Sequence, residues 1–106
     1  MTTANSLRGA ADASRHAESS EPVAAEIHAK GGKALFVPTD VTSRQSVNDA
    51  IAKIRSKLGP ITALAHNASG YGRASFLAMD PEQVRQSFEA NVMGAVYVSQ
   101  AVIPDM

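Results

Sequence analysis

Asn67-Ala68-Ser69-Gly70 ends an apolar run, Ile61-Thr-Ala-Leu-Ala65, and its small residues let backbone approach a ligand closely. Asp40-Val41 follows another such run, Ala34-Leu-Phe-Val-Pro38, and the Asp40 carboxylate can accept hydrogen bonds from an exocyclic amine. Parallel α/β sheets bind ligands at the carboxyl ends of their strands, so both places suit a small-molecule site. The plainer alternative is that Asp-Val-Thr starts a helix and Asn-Ala-Ser-Gly turns a corner. Residue types alone leave both readings open. His66 offers a catalytic or metal-binding imidazole, but His16 and His28 lie far off, at no metal-ligand spacing. A structural role suits it better, and no metal site is expected.

The elements that must position these residues show in the apolar periodicity. The first twenty residues, rich in Ala, Ser and Thr, have neither helical nor strand periodicity and are expected to form a loose tail. A short helix is expected over Glu21 to Lys30, with Pro22 in its first turn and Gly31-Gly32 at its end. Ala34 to Pro38 has the composition of a buried strand. Thr42-Ser-Arg-Gln45 then offers a capping box for a helix carrying Val47, Ala50, Ile51, Ile54 and Leu58, which Gly59-Pro60 closes. Ile61 to Ala65 forms the second expected strand. Asp80-Pro81-Glu82 opens a long helix whose apolar stripe is Val84, Phe88, Ala95, Val98 and Val102, running to Pro104. Strands alternating with amphipathic helices predict an α/β layer with parallel pairing, in the order helix, strand, helix, strand, helix.

A chain of 106 residues has room for one small core, and 44% hydrophobic residues argue against wholesale disorder. Ten basic and ten acidic side chains cancel, so no global field draws nucleic acid or anionic lipid. Neither class is expected as a partner. With no cysteine, disulfides and thiolate chemistry are excluded. No run approaches the ~20 apolar residues that span a bilayer, and the start lacks the apolar core of a signal peptide. A cytoplasmic setting is the expectation.

Taken as a set, Asp40-Val41, His66-Asn67-Ala68-Ser69 and Asn91-Val92-Met93-Gly94 resemble the middle of a short-chain dehydrogenase/reductase. The resemblance runs from about Ala13 to Met106. It implies a partial Rossmann-like, doubly wound α/β domain over 21–106 and a nicotinamide cofactor, NAD or NADP. In that family an Asp-Val-type pair lies beside the adenine, and an Asn-Asn-Ala-Gly motif supports the sheet beside the cofactor. An Asn in an Asn-Val-x-Gly context belongs to the catalytic tetrad, which marks Asn91. His66 stands where the motif has its first Asn, and Ser69 where it has Gly. Ser14 and Arg15 match the segment that chooses the cofactor. An acidic residue there favours NAD and an Arg accommodates the extra phosphate of NADP, so Arg15 leans toward NADP. The implied site is thus Asn91 as the catalytic member, with Ser14, Arg15, Asp40, Val41, Asn67, Ala68, Ser69 and Gly70 around the cofactor.

Other family features have no counterpart among the 106 residues. The glycine-rich phosphate loop is missing, and so is the Tyr-x-x-x-Lys pair: Tyr71 is followed four residues on by Ser75, and Tyr97 by Ala101. The expectation is a truncated oxidoreductase, inactive alone, whose parent acts on a small carbonyl or alcohol. Two alternatives are a non-catalytic module that docks on a full-length homologue through the Asp80–Pro104 helix, and a bare nucleotide-binding remnant. In the family's sheet two strands separate those matching Ala34–Pro38 and Ile61–Ala65, which puts them ~14 Å apart. Exposed strand edges and an uncovered helix face predict self-association.

Overall fold

The structure is a computed structural model, and it describes residues 9–69 and 74–106. A parallel pair of strands, β1 (Ala10–Ser14) and β2 (Ala34–Pro38), is joined by the crossover helix α1 (Ala17–Ala29). Ala10 lies opposite Ala34, and Ser14 opposite Pro38. Helix α2 (Arg44–Leu58) follows, then an extended segment over residues 61–69. The chain finishes in one helical rod. This consists of α3 (Pro81–Phe88), a π-turn over Glu89–Met93, α4 (Gly94–Val102) and a 3₁₀ turn over Ile103–Asp105. The architecture is α/β.

The stretch expected as a loose tail is therefore a strand and the start of a helix from Ala10 onward. Residues 1–8 of that stretch lie outside the described residues. Ala-Ala-Asp-Ala-Ser has little intrinsic β-propensity, and its conformation comes from the ladder with β2, which no local pattern announces. Helix α1 likewise begins at Ala17, four residues ahead of Glu21, so Pro22 lies inside it. At the start of α2 the cap is Ser43, whose hydroxyl accepts from the Ser46 N–H at 3.2 Å, in place of the expected Thr42 box. Gln45 turns instead along the helix and donates to Asp49 at 2.8 Å.

Ile61–Ala65 forms no ladder among the described residues, so the expected second strand is an extended segment only. A strand needs a neighbour to take its N–H and C=O groups, and no described strand flanks this one. It is held at its start. The Ile61 side chain is wholly buried with Val47, Ile54 and Val102, while Thr62, Ala63 and Ala65 are exposed. The Ile61 N–H donates to the Asp105 carboxylate at 3.0 Å, and Arg55 Nε donates to the same oxygen at 2.7 Å. Arg55 Nη2 reaches the Ala101 carbonyl at 2.6 Å. One carboxylate thus joins α2, the extended segment and the end of the rod. Across the same pair of helices, the Arg44 guanidinium lies 4.7 Å from the Tyr97 ring centroid.

The apolar stripe of the rod divides into two. Ala90, Gly94, Val98 and Val102, four residues apart, face the core. Val84, Phe88, Val92 and Val96 make a second row at the same spacing and are 39–52% exposed. The expected single stripe joined Val84 and Phe88 to Val98 and Val102. A wider π-turn between them breaks the 3.6-residue period on which that pattern depends.

Two outcomes follow for stability. Ile61→Ala leaves a hole in the core and costs about 2–5 kcal/mol in denaturant titration. Hydrogen bonds from Arg55 and then from the Ile61 N–H hold the Asp105 carboxyl below its ordinary value of 3.8, against a smaller opposing effect of burial. A depressed carboxylate stabilises the fold above the unfolded value and loses that contribution as the pH falls through the folded one. Below about pH 3.8 the denaturation midpoint should therefore drop less steeply in Asp105→Asn than in the parent chain.

Candidate nucleotide site

The carboxyl ends of β1 and β2 and the tail of the extended segment converge on a cavity of about 340 Å³. Ser14, Arg15, Val41, Asn67, Ala68 and Ser69 all line it. Its size lies at the lower end of the range for small-molecule sites. Asp40 is not in its wall, and Gly70 lies outside the described residues. Asn91 is also absent from the lining, although its neighbour Ala90 contributes.

Each wall has a local cause. Ser14 ends β1 and its hydroxyl is already engaged, accepting from the His16 N–H at 3.4 Å and lying 3.3 Å from Ser20 Oγ. This ties the strand end to the first turn of α1. Arg15 and His16 then enter the cavity wall from the turn before that helix. Thr39, just past β2, is buried and donates to the Val37 carbonyl at 2.8 Å. Asp40 performs the plainer of its two tasks: its Oδ1 accepts from Thr42 Oγ1 at 2.7 Å and from the Thr42 N–H at 3.0 Å. These bonds hold its carboxyl below the ordinary value, burial opposes them, and the Arg15 guanidinium adds a smaller lowering.

Val41 explains why a glycine sits in Asn91-Val92-Met93-Gly94. A Cβ on Gly94 would stand 3.0 Å from Val41 Cγ2 and 3.2 Å from the Val41 carbonyl oxygen. The rod approaches the β2 turn so closely that any side chain at position 94 would have to push Val41 aside by a few tenths of an ångström. Asn91 belongs to the π-turn immediately before that contact. His66 directly precedes the wall formed by Asn67, Ala68 and Ser69, and its Nε2 is buried with no hydrogen-bond partner among the described residues. Among the described residues no group of three or more His, Cys, Asp or Glu side chains could hold a metal ion.

Sequence reasoning did not find Asp12, His16, Thr39 or Ala90, which also line the cavity. Asp12 and His16 fell inside the stretch expected as a tail. Thr39 and Ala90 carry no signal beyond adjacency to Asp40 and Asn91.

A family model described as short chain dehydrogenase matches residues 3–106. The chain is 34% identical over 91 residues to the 7alpha-hydroxysteroid dehydrogenase of Escherichia coli K12, covering 86% of this chain and 35% of that protein. A solved 7α-hydroxysteroid dehydrogenase, in complex with NADH and 7-oxo glycochenodeoxycholic acid, superposes with a TM-score of 0.84 at 32% identity. That match covers 92% of this chain and 38% of the other. A gluconate 5-dehydrogenase from Burkholderia cenocepacia, solved with NADP and tartrate, superposes at 0.74 with 28% identity, covering 89% of this chain and 36% of that one. The chain thus spans about a third of the length of the curated relatives it matches.

The Gly94 contact gives a sharp expectation. Gly94→Ala crowds Val41, a cost of about 1–3 kcal/mol set against a helix-propensity gain of up to about 1 kcal/mol, for a net loss of about 0–2 kcal/mol. Adding Val41→Ala to that variant recovers part of the loss, whereas Val41→Ala alone destabilises. Paired denaturant titrations measure the coupling.

Proposed function

The chain belongs to the short-chain dehydrogenase/reductase family, and on that premise we propose that it supplies the adenosine-binding half of a nicotinamide-dependent oxidoreductase site. The observation that carries this reading is the convergence of Ser14, Arg15 and Asn67–Ser69 on one cavity beyond the ends of a parallel strand pair. Small residues on one wall and a guanidinium at the mouth fit a nucleoside that carries a phosphate. Arg15 would hold the 2′-phosphate of NADP. Ala68 and Ser69 would let backbone approach the cofactor, and the π-turn would present Asn91 to the reacting end. Bound nicotinamide supplies or accepts a hydride. The substrate class is a small alcohol or carbonyl compound in a cytoplasmic setting. The relatives include a 7alpha-hydroxysteroid dehydrogenase and an L-rhamnose 1-dehydrogenase.

The 106 residues carry no Tyr-x-x-x-Lys pair and no glycine-rich phosphate loop. Tested by itself, this chain should therefore hold nucleotide weakly and not turn over. Loss of general acid/base catalysis alone costs about 10²–10⁴-fold. A second reading, docking on a full-length homologue or on a second copy, is favoured by the exposed row Val84, Phe88, Val92 and Val96 on the rod. Contiguous apolar side chains of this kind are characteristic of a surface that another chain covers.

Titration calorimetry with NADP and NAD tests the main reading. NADP should bind more tightly than NAD, and Arg15→Ala should remove that difference while leaving NAD affinity within about twofold, since the guanidinium contacts only the added phosphate. Equal affinities in the parent chain would overturn the assignment of Arg15. Cofactor absorbance over a panel of alcohols and ketones should stay constant with the isolated chain.

A further inference from the structure

We propose that a second polypeptide completes this sheet, supplying one parallel strand beside β1 and an amphipathic helix that packs next to α1. The strand half rests on backbone groups without partners. The Ala10 N–H donates to the Lys33 carbonyl at 3.0 Å, and the Ser14 carbonyl accepts from the Thr39 N–H at 2.9 Å. Along a parallel strand, residues bonded to one neighbour alternate with residues that face away, so Ala10, Asp12 and Ser14 serve β2. Ala11 and Ala13 therefore direct their N–H and C=O groups to the other edge, where no described strand or backbone group meets them. Both residues are buried, at 2% and 5% exposure, and buried backbone groups are nearly always paired. The extended segment 61–69 has the same deficit, since among the described residues it makes no backbone–backbone hydrogen bond. It flanks the open edge of β1: Ala13, Ser14 and Asn67–Ser69 line one cavity, whereas the cleft on the outer side of β2 is lined only by residues between Val37 and Lys53. β1 and the segment both run toward the shared cavity, so a strand that continues the parallel sheet between them runs the same way.

The helix half rests on a second cavity. α1 packs chiefly against β2 and leaves the neighbouring face of β1 uncovered. There Ala10 and Asp12 of β1, Phe36 of β2 and Ser19, Val23 and Ile27 of α1 border a cleft of about 230 Å³, with Val23 54% exposed. A cleft walled by a helix and a sheet face, lined mainly by small and apolar residues, fits the apolar stripe of a second helix. Asp12, Ser19 and Ser20 line both cavities, so a strand that ends level with Ser14 can turn there and enter the cleft as a helix. A second copy of this chain has no such unit to spare, because its two strands are paired with each other and α2 is packed on its own core. Longer relatives are the fitting source. The elements described here superpose at a TM-score of 0.84 on an enzyme of which they match 38%, so they hold the spacing of a larger sheet. Neither half requires that the first cavity contain a nucleotide.

Residue-resolved amide exchange by NMR on the full chain tests both halves, with a synthetic peptide as the partner. The peptide joins about five valine-rich strand residues, through a short glycine turn, to a helix of about 14 residues with one Leu/Ala stripe. In the dilute chain alone, the Ala11 and Ala13 amides should exchange faster than those of Asp12 and Ser14. The peptide should slow them roughly twofold to tenfold, the factor for one hydrogen bond. The same peptide N-methylated along its strand should not. Val23→Glu, at an exposed position, puts a charge into the cleft and should weaken peptide binding about tenfold in fluorescence anisotropy. Ala25→Glu, exposed but outside the cleft, should leave it unchanged. Ala11 and Ala13 amides already as protected as their neighbours, or not slowed by the peptide, would overturn the strand half. So would equal slowing by the N-methylated peptide, or slowing that rises with chain concentration in the absence of peptide, which would assign the edge to a second copy. Unchanged affinity in Val23→Glu would overturn the helix half.

Discussion

An extended segment without ladder partners stays extended only if something grips it, and here the grip is a single carboxylate. Asp105 accepts from both the Ile61 N–H and the Arg55 guanidinium, and Arg55 continues to the Ala101 carbonyl. Three pieces of chain that lie 50 residues or fewer apart in sequence are thereby fixed at one point. Charge-assisted bonds of this kind are shorter and stronger than neutral ones, and the Asp105 side chain is only 16% exposed, so solvent competes weakly. The Ile61 side chain, inserted among Val47, Ile54 and Val102, supplies the apolar half of the same junction.

From that anchor the geometry of the cavity follows in order. The segment leaves Ile61 with three of its next four residues exposed and reaches the cavity at Asn67. Asn67, Ala68 and Ser69 form one wall, six to eight residues beyond the Ile61 anchor. The opposite wall depends on β1, whose end is tied to α1 through Ser14 and Ser20. Between them, Gly94 lets the rod press on Val41. The walls of the cavity are thus products of close backbone approach more than of long side chains.

Much of this was legible beforehand, and the reasons differ by element. Helix α2 announced itself because Val47, Ala50, Ile51 and Ile54 recur at helical spacing and all became core. The strand Ala34–Pro38 was visible as a bounded apolar run. By contrast β1 consists of alanines with Asp and Ser, and its pairing is decided by a partner twenty-four positions away at each register step. Local pattern cannot register such a partner. The converse failure is Ile61–Ala65, where a strand-like run lacks the neighbour that would make it a strand. At the site, motif spacing led to Asn67, Ala68 and Ser69 on the wall, while Asp40 was drawn into its own turn by Thr42, a short-range competition the motif does not express.

The π-turn also sets a rotational phase between the two halves of the rod. Each residue of an α-helix advances the side-chain direction by about 100°. One residue more or fewer between Phe88 and Gly94 would leave α4 seated on the core but swing Val84 and Phe88 through nearly a third of a revolution. The outward row would no longer run straight from Val84 to Val96. The length of this turn is therefore itself a heritable setting: a single codon inserted or deleted there would re-aim one surface of the molecule without altering any residue on it.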